Sequence, residues 1–208
     1  MPDRIVEDLP LFPLGMVALP AEVVPLHIFE ERYKTMIGGC LDSGSEFGIV
    51  WTGPDGTNAV GCAMEVTRVL DELPDGRMNI LTTGTRPFRV LEEHHDLPYA
   101  TAMVELLEDE PERPDKQDAA AAHEAYRTLV AQAADRELAD DELAAMSAYD
   151  MAATVDFGPE SKQSLLNLRS ENARLRLVTR LFRAALKRLE FVGRAQVRAR
   201  SNGRVRFS

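Results

Sequence analysis

Several things this chain of 208 residues lacks narrow its chemistry before any motif is considered. No run of apolar residues approaches the length of about 18 that a membrane-crossing helix requires. Two cysteines, Cys40 and Cys62, are too few and too far apart for a disulfide scaffold or a zinc knuckle. They read as small buried thiols. The start, MPDRIVEDLP, carries acids where a secretory leader needs a basic start and an unbroken apolar stretch, so a cytoplasmic location is expected. None of the thirteen glycines precedes a lysine, which excludes a Walker loop. G-x-G-x-x-G and the G-x-S-x-G nucleophile elbow are missing too. His123-Glu124 opens like a metalloprotease helix, but Arg127 stands where the second histidine ligand belongs. His94 and His95 are sequence neighbours, which a strand points to opposite faces. His27 sits alone in an apolar frame. No catalytic constellation, metal site or cofactor is expected.

Charge is scarce in one sign at either end. Residues 1–163 carry 12 basic and 32 acidic side chains, net −20, whereas residues 164–208 carry 12 basic and 2 acidic, net +10. The body should repel nucleic acid and anionic membrane, while the end could attract either.

What is present begins with residues 9–33, an apolar run cornered by Pro10, Pro13, Pro20 and Pro25. Proline leaves ladder hydrogen bonds unmade and is expelled from helix interiors, so this reads as short extended pieces joined by tight corners. After Phe29 the period changes. Tyr33, Met36, Ile37, Cys40 and Leu41 form a helical stripe that Gly44 can cap. Residues 47–51, 60–73, 78–90 and 99–107 are written as strands, with turns at Gly53-Pro54-Asp55-Gly56 and Pro74-Asp75-Gly76 and a bend or bulge at Gly84. Residues 60–66 alternate as a half-buried strand would. About six strands with one inserted helix predict an antiparallel, barrel-like sheet.

Acids and two prolines over 108–114 mark a linker to a helical half. Asp118 is expected to cap a helix through 135, a second helix covers 141–155, and Pro159 opens a short third. Ser170 caps a long helix to 191 whose arginines, Arg174, Arg176, Arg180, Arg183 and Arg188, are expected to face outward. The basic end, 192–208, reads as a flexible arm or a marginal hairpin about Asn202-Gly203. The fold class is therefore α+β, with a barrel over residues 8–110, a helical bundle over 117–191 and a basic tail over 192–208.

The strings Leu9-Pro10-Leu11-Phe12-Pro13-Leu14, Leu19-Pro20 and Pro25-Leu26-His27-Ile28-Phe29-Glu30-Glu31-Arg32-Tyr33 resemble the N-terminal, substrate-binding domain of the Lon ATP-dependent protease. Phe47-Gly48, Val60-Gly61-Cys62, Gly76-Arg77-Met78-Asn79, Gly84-Thr85-Arg86-Pro87-Phe88-Arg89-Val90, Lys162-Gln163, Leu165-Leu166 and Arg174-Leu175 follow in the same order. The resemblance implies a PUA-like pseudo-barrel followed by a helical bundle. It also implies a non-catalytic module that recognises unfolded or tagged polypeptides, or a protease or chaperone component, as an adaptor or regulator in protein quality control. The ATPase and Ser-Lys protease modules of that family find no counterpart here, so proteolysis by this chain alone is not expected. Candidate contacts are Pro25, His27, Phe29 and Phe88. The alternative is a PUA-like protein that binds nucleic acid through its arginine-rich end. The oligomeric state stays open.

Overall fold

The computed structural model describes residues 4–202, and side chains as far as Phe191. The chain divides into two compact units. One comprises the chain up to Pro111 together with Tyr149–Ser170, and the other Glu112–Ala148 together with the chain from Glu171 onward.

In the first unit, β1 (Ile5–Leu14), β2 (Val23–Ile28), α1 (Glu31–Ser43), β3 (Phe47–Gly53), β4 (Gly56–Thr57), β5 (Val60–Glu72), β6 (Met78–His94) and β7 (Thr101–Leu106) follow one another. The strands pair in the order β1-β7-β6-β5-β3-β4, antiparallel throughout that path. A parallel pairing of β1 with β3, Leu11 opposite Gly48 through Leu14 opposite Trp51, joins the ends. That pairing closes β1, β7, β6, β5 and β3 into a barrel, and β2 lies outside the ring on β6. Leu9, Leu11, Val50, Ala63, Phe88, Ala102 and Val104 form one buried cluster. Alternate residues of the same strands are buried on the other face, where Phe12 lies 4.1 Å from the Tyr33 ring of α1 and 6.3 Å from Phe47. The start of β5 is consequently buried on both faces: Cys62, Ala63 and Met64 are all inaccessible, and the expected half-buried alternation is absent there. Bulges shift the β5–β6 register at three places, one of them beside Gly84.

Helix α1 ends as anticipated, with Gly44 left-handed at φ +65° and its N–H bonded to the Cys40 carbonyl. Its stripe buries Tyr33, Met36, Ile37 and Cys40, while Leu41 stays exposed. Residues 19–22 form a tight turn in which the Glu22 N–H reaches the Leu19 carbonyl at 3.1 Å, with Pro20 and Ala21 at its centre. Ala21 there takes φ +65°, a conformation that suits glycine. Ala21→Gly is expected to raise stability by about 0.5–1 kcal/mol, read as a higher urea midpoint at unchanged slope.

Two helices elsewhere in the sequence complete this unit: α4 (Ala148–Ala152), which starts at its boundary, and α5 (Pro159–Asn167). Pro159 opens α5 as expected, and Leu165 and Leu166 are buried. Gln163 Nε2 donates to the Val60 carbonyl at 3.0 Å, and Lys162 pairs with Glu22, both side chains being nearly inaccessible.

The second unit contains α2 (Lys116–Ala134), α3 (Asp140–Ala144) and α6 (Glu171–Asn202). The N-cap of α2 is Asp115 rather than Asp118, since its carboxylate accepts from the Gln117 and Asp118 amides. The single helix expected over 141–155 is instead two short ones, α3 and α4. Helices α2 and α6 run in the same direction: Asp115 bonds Asn172, Asp118 pairs with Arg176, and Tyr126 lies 5.3 Å from Phe182. Arg174 does not face outward. It is 2% exposed, with Nε and Nη2 donating to Glu171 Oε2 at 2.9 and 2.8 Å. The long helix passes the expected end at 191 and continues to Asn202, so residues 192–202 are helical and form neither half of a hairpin. Arginine, alanine and glutamine favour helix, and Gly193 alone costs only about 1 kcal/mol. Residues 203–208, the rest of the expected flexible tail, lie outside the described residues.

Candidate functional site

The sequence offered four candidate contacts, and the structure brings three of them together. Pro25 and His27 are exposed on β2, and Phe29 follows it at 58% exposure. A strand sends alternate side chains to opposite faces. Val24 and Ile28 therefore enter the core at 4% and 1%, and Val23, Pro25 and His27 face outward. Val23, also 58% exposed, belongs to this row and escaped the sequence reading. Counting back by two from Phe29, His27 and Pro25 would have found it.

Phe88 is elsewhere and is not a contact. It is 0% exposed in the barrel cluster. A β-carbon at Gly48 would lie 2.5 Å from its Cζ, and one at Gly61 would lie 2.6 Å away. The ring fills the space those two glycines leave. The motif residues Gly48, Gly61 and Phe88 are thus one packing device.

The outward row continues across the sheet, because directly opposed residues share a face. Val23 opposes Thr83, which opposes Glu65; Pro25 opposes Leu81, which opposes Arg68; His27 opposes Asn79, which opposes Asp71. His27 Nδ1–H donates to Asn79 Oδ1 at 2.7 Å, and its ring stacks on Phe29 with centroids 5.8 Å apart at 22°. The imidazole is thereby fixed as a flat platform continuous with the phenyl ring. Glu30 and Arg32 pair beside it, as do Glu31 and Lys34. The result is an apolar strip with a polar surround, suited to contact with another apolar chain and carrying no nucleophile.

The other singled-out histidines lie apart. His94 faces Asp8, His95 faces Glu93, and His123 reaches the Met146 carbonyl at 3.2 Å. Among the described residues no three His, Cys, Asp or Glu side chains gather as metal ligands, and no helix is long and apolar enough to cross a membrane.

Cys40 and Cys62 are both buried and free. Desolvation raises both thiols above their usual range, Cys62 the more strongly, with the nearby Glu22 charge adding to it. Below the ordinary thiol value, 9.0, this contribution to stability is fully present. As the pH rises past it, the unfolded chain ionises while the folded one holds its protons, and stability falls. The urea midpoint should therefore be lower at pH 10 than at pH 8, and the drop should shrink in Cys62→Ala.

Comparison with known proteins supplies the remaining observations. The family model for the ATP-dependent protease La (LON) substrate-binding domain matches residues 8–184. A Lon N-terminal domain protein from Xanthomonas campestris superposes with a TM-score of 0.65 at 26% identity, covering 82% of this chain and 95% of that one. The N-terminal domain of the Mycobacterium avium complex Lon protease superposes with a TM-score of 0.60 at 20% identity, covering 85% and 98%. The expected α+β, PUA-like architecture is the one found. The Lon protease of Parabacteroides distasonis is 27% identical over 125 residues, 56% of this chain and 15% of that protein. The match to that of Flavobacterium johnsoniae is also 27% identical, over 53% of this chain and 14% of the protein. This chain thus spans about one seventh of the length of these relatives.

Proposed function

Since the chain belongs to the Lon substrate-binding domain family, we propose that it binds exposed apolar segments of other polypeptides through the strip of Val23, Pro25, His27 and Phe29. The carrying observation is that two large apolar side chains, each 58% exposed, flank a proline and a stacked histidine in one row. Scattered apolar residues are ordinary on a surface, but a contiguous row with a polar surround marks a contact site. In this reading the module serves protein quality control as an adaptor or regulator, delivering or withholding a bound chain without altering it.

Reduced, carboxymethylated α-lactalbumin, which stays unfolded, provides a probe for fluorescence anisotropy. Saturable binding is expected, and Phe29→Asp should weaken it about tenfold or more. Leu97→Asp, at a separate exposed leucine, should leave it unchanged. Absence of saturable binding overturns the proposal. Equal affinities for Phe29→Asp, Val23→Asp and the parent protein overturn the placement of the site.

A second reading, nucleic-acid binding through the basic end, draws on Arg180, Arg183, Lys187 and Arg188. They are exposed on α6 with no ion pair among the described residues. It requires affinity for a labelled oligonucleotide that falls steeply with salt. Salt-independent or absent binding removes it.

A further inference from the structure

From the backbone of β2 we infer that the bound polypeptide is taken as an additional β-strand along the open edge of that strand. The inference rests on the reading of the Val23–Phe29 strip as a polypeptide site, and it adds the mode of capture and the class of segment. Among the described residues β2 pairs with β6 alone, Val23 opposite Thr83 through Ile28 opposite Met78. The Gly84 N–H donates to the Glu22 carbonyl at 2.9 Å, which sets the phase of the ladder. In an antiparallel pair, alternate residues turn their backbone groups toward the partner. Val24, Leu26 and Ile28 therefore turn theirs toward β6, and the Thr82 hydroxyl donating to the Val24 carbonyl at 2.9 Å agrees. Val23, Pro25 and His27 turn theirs the other way. Their open side offers the amides of Val23 and His27 as donors and the carbonyls of all three as acceptors. These are the same residues whose side chains form the apolar row, so one strand presents an unpaired ladder and an apolar face at once.

The composition of this edge selects its occupant. Pro25 has no N–H to give, and prolines at sheet edges discourage self-pairing. Two copies of β2 meeting antiparallel about Pro25 would place proline opposite proline and forfeit both hydrogen bonds of the central rung. A foreign segment with an amide opposite the Pro25 carbonyl keeps one of them. Charge acts in the same sense, because residues 1–163 carry net −20 and repel a second copy or an acidic segment. The occupant is therefore an extended, neutral or basic segment of another protein. Its apolar side chains fall at every second position beside Val23, Pro25, His27 and Phe29, and it has no proline where its amides meet the edge.

The test uses the full chain and overlapping acetylated nonapeptides of carboxymethylated α-lactalbumin. The tightest binder is then N-methylated at each position in turn, which removes a donor and obstructs strand pairing. Losses of about tenfold at every second position, with changes under about twofold between them, are expected. Addition of the unmodified peptide should slow hydrogen exchange at the Val23 and His27 amides at least about tenfold. Saturable binding without the alternation overturns strand addition and leaves the polypeptide-binding reading standing. Alternation without protection of Val23 and His27 also overturns the inference, since the pairing would then occur elsewhere. No saturable binding of any peptide overturns both.

Discussion

Gly84→Ala should cost at least about 4 kcal/mol and deplete the folded protein, because the added methyl has nowhere to go. A β-carbon on Gly84 would stand 2.0 Å from the Leu19 carbonyl oxygen, 2.8 Å from its carbonyl carbon and 3.1 Å from Cys62 Sγ. The first two neighbours are backbone, and that backbone is held from several sides. Glu22 N–H donates to the Leu19 carbonyl at 3.1 Å, and Leu19 N–H donates to Glu22 Oε2 at 3.0 Å. Gly84 itself bonds to Glu22 through its N–H and to Ala21 through its carbonyl, at 2.9 and 2.8 Å. Relief would require the turn to lift off β6, breaking those bonds and exposing Leu19, now 0% accessible. Gly15→Ala is the control, since a β-carbon there meets nothing within 4 Å. Urea denaturation of the two variants should leave Gly15→Ala within about 1 kcal/mol of the parent and shift Gly84→Ala to a far lower midpoint. Equal midpoints would mean that the turn can yield.

Loss of the Glu171 carboxylate ranks next. Among the described residues Arg174 is the largest fully buried side chain, and Glu171 supplies an opposite charge that it meets at 2.8–2.9 Å. The other carboxylate oxygen accepts the Ala148 N–H at 2.7 Å. Removing a carboxylate from a buried guanidinium takes away charge that compensates it in a medium that solvates it poorly, and breaking such a pair costs up to about 3–5 kcal/mol. Glu171→Ala should fall in that range and lower the melting temperature by roughly 10 °C. Glu171→Gln keeps an oxygen for the Ala148 amide and should cost less. Arg174→Met removes the buried cation itself and should also cost less than Glu171→Ala, because the carboxylate left behind is nearer water at 16% exposure. If Glu171→Ala proved the mildest of the three, the pair would not be what holds Arg174 in place.

These two effects differ in how far the sequence foretold them. A bend at Gly84 could be anticipated from a glycine within a strand, but not that it would lie against the Leu19 carbonyl, 65 positions away along the chain. Local period carries no record of such approaches. The same limit hid the parallel β1–β3 pairing that closes the barrel. Arg174 was misplaced for another reason. It lies one turn before Val178 on the buried stripe, but arginine is expected in water unless a partner is known. Glu171, three positions earlier, was the available clue.

Local chemistry succeeded where local chemistry decides. Gly44 ends α1, Pro159 begins α5, and Pro74-Asp75-Gly76 turns β5 into β6. The candidate site shows both outcomes. Proline and aromatic residues at 25, 27 and 29 mark one row in the sequence, but both faces of β2 carry apolar residues. Only the pairing with β6 shows that Val24 and Ile28 go inward and the alternate row outward. Phe88 shares with those residues only its place in a family string. Such strings preserve packing as readily as binding, and Gly48 and Gly61 show which applies.

The unit that begins the chain also borrows residues 149–170, and this sets the order in which the molecule can be built. A ribosome releases the barrel strands first, but the barrel's partners on α5 emerge only after the whole of α2 and α3 has left the exit tunnel. Glu22 waits for Lys162 across 140 positions, and the Val60 carbonyl waits for Gln163. Until then Glu22 must be hydrated or paired elsewhere, and the apolar surface destined for Leu165 and Leu166 stays open. Closing that loop carries an entropic cost, which the contacts made by α5 offset. Folding of the first unit is thus tied to synthesis of the segment that follows α2 and α3, and nascent chains ending near residue 111 should need a chaperone that chains reaching residue 170 can release.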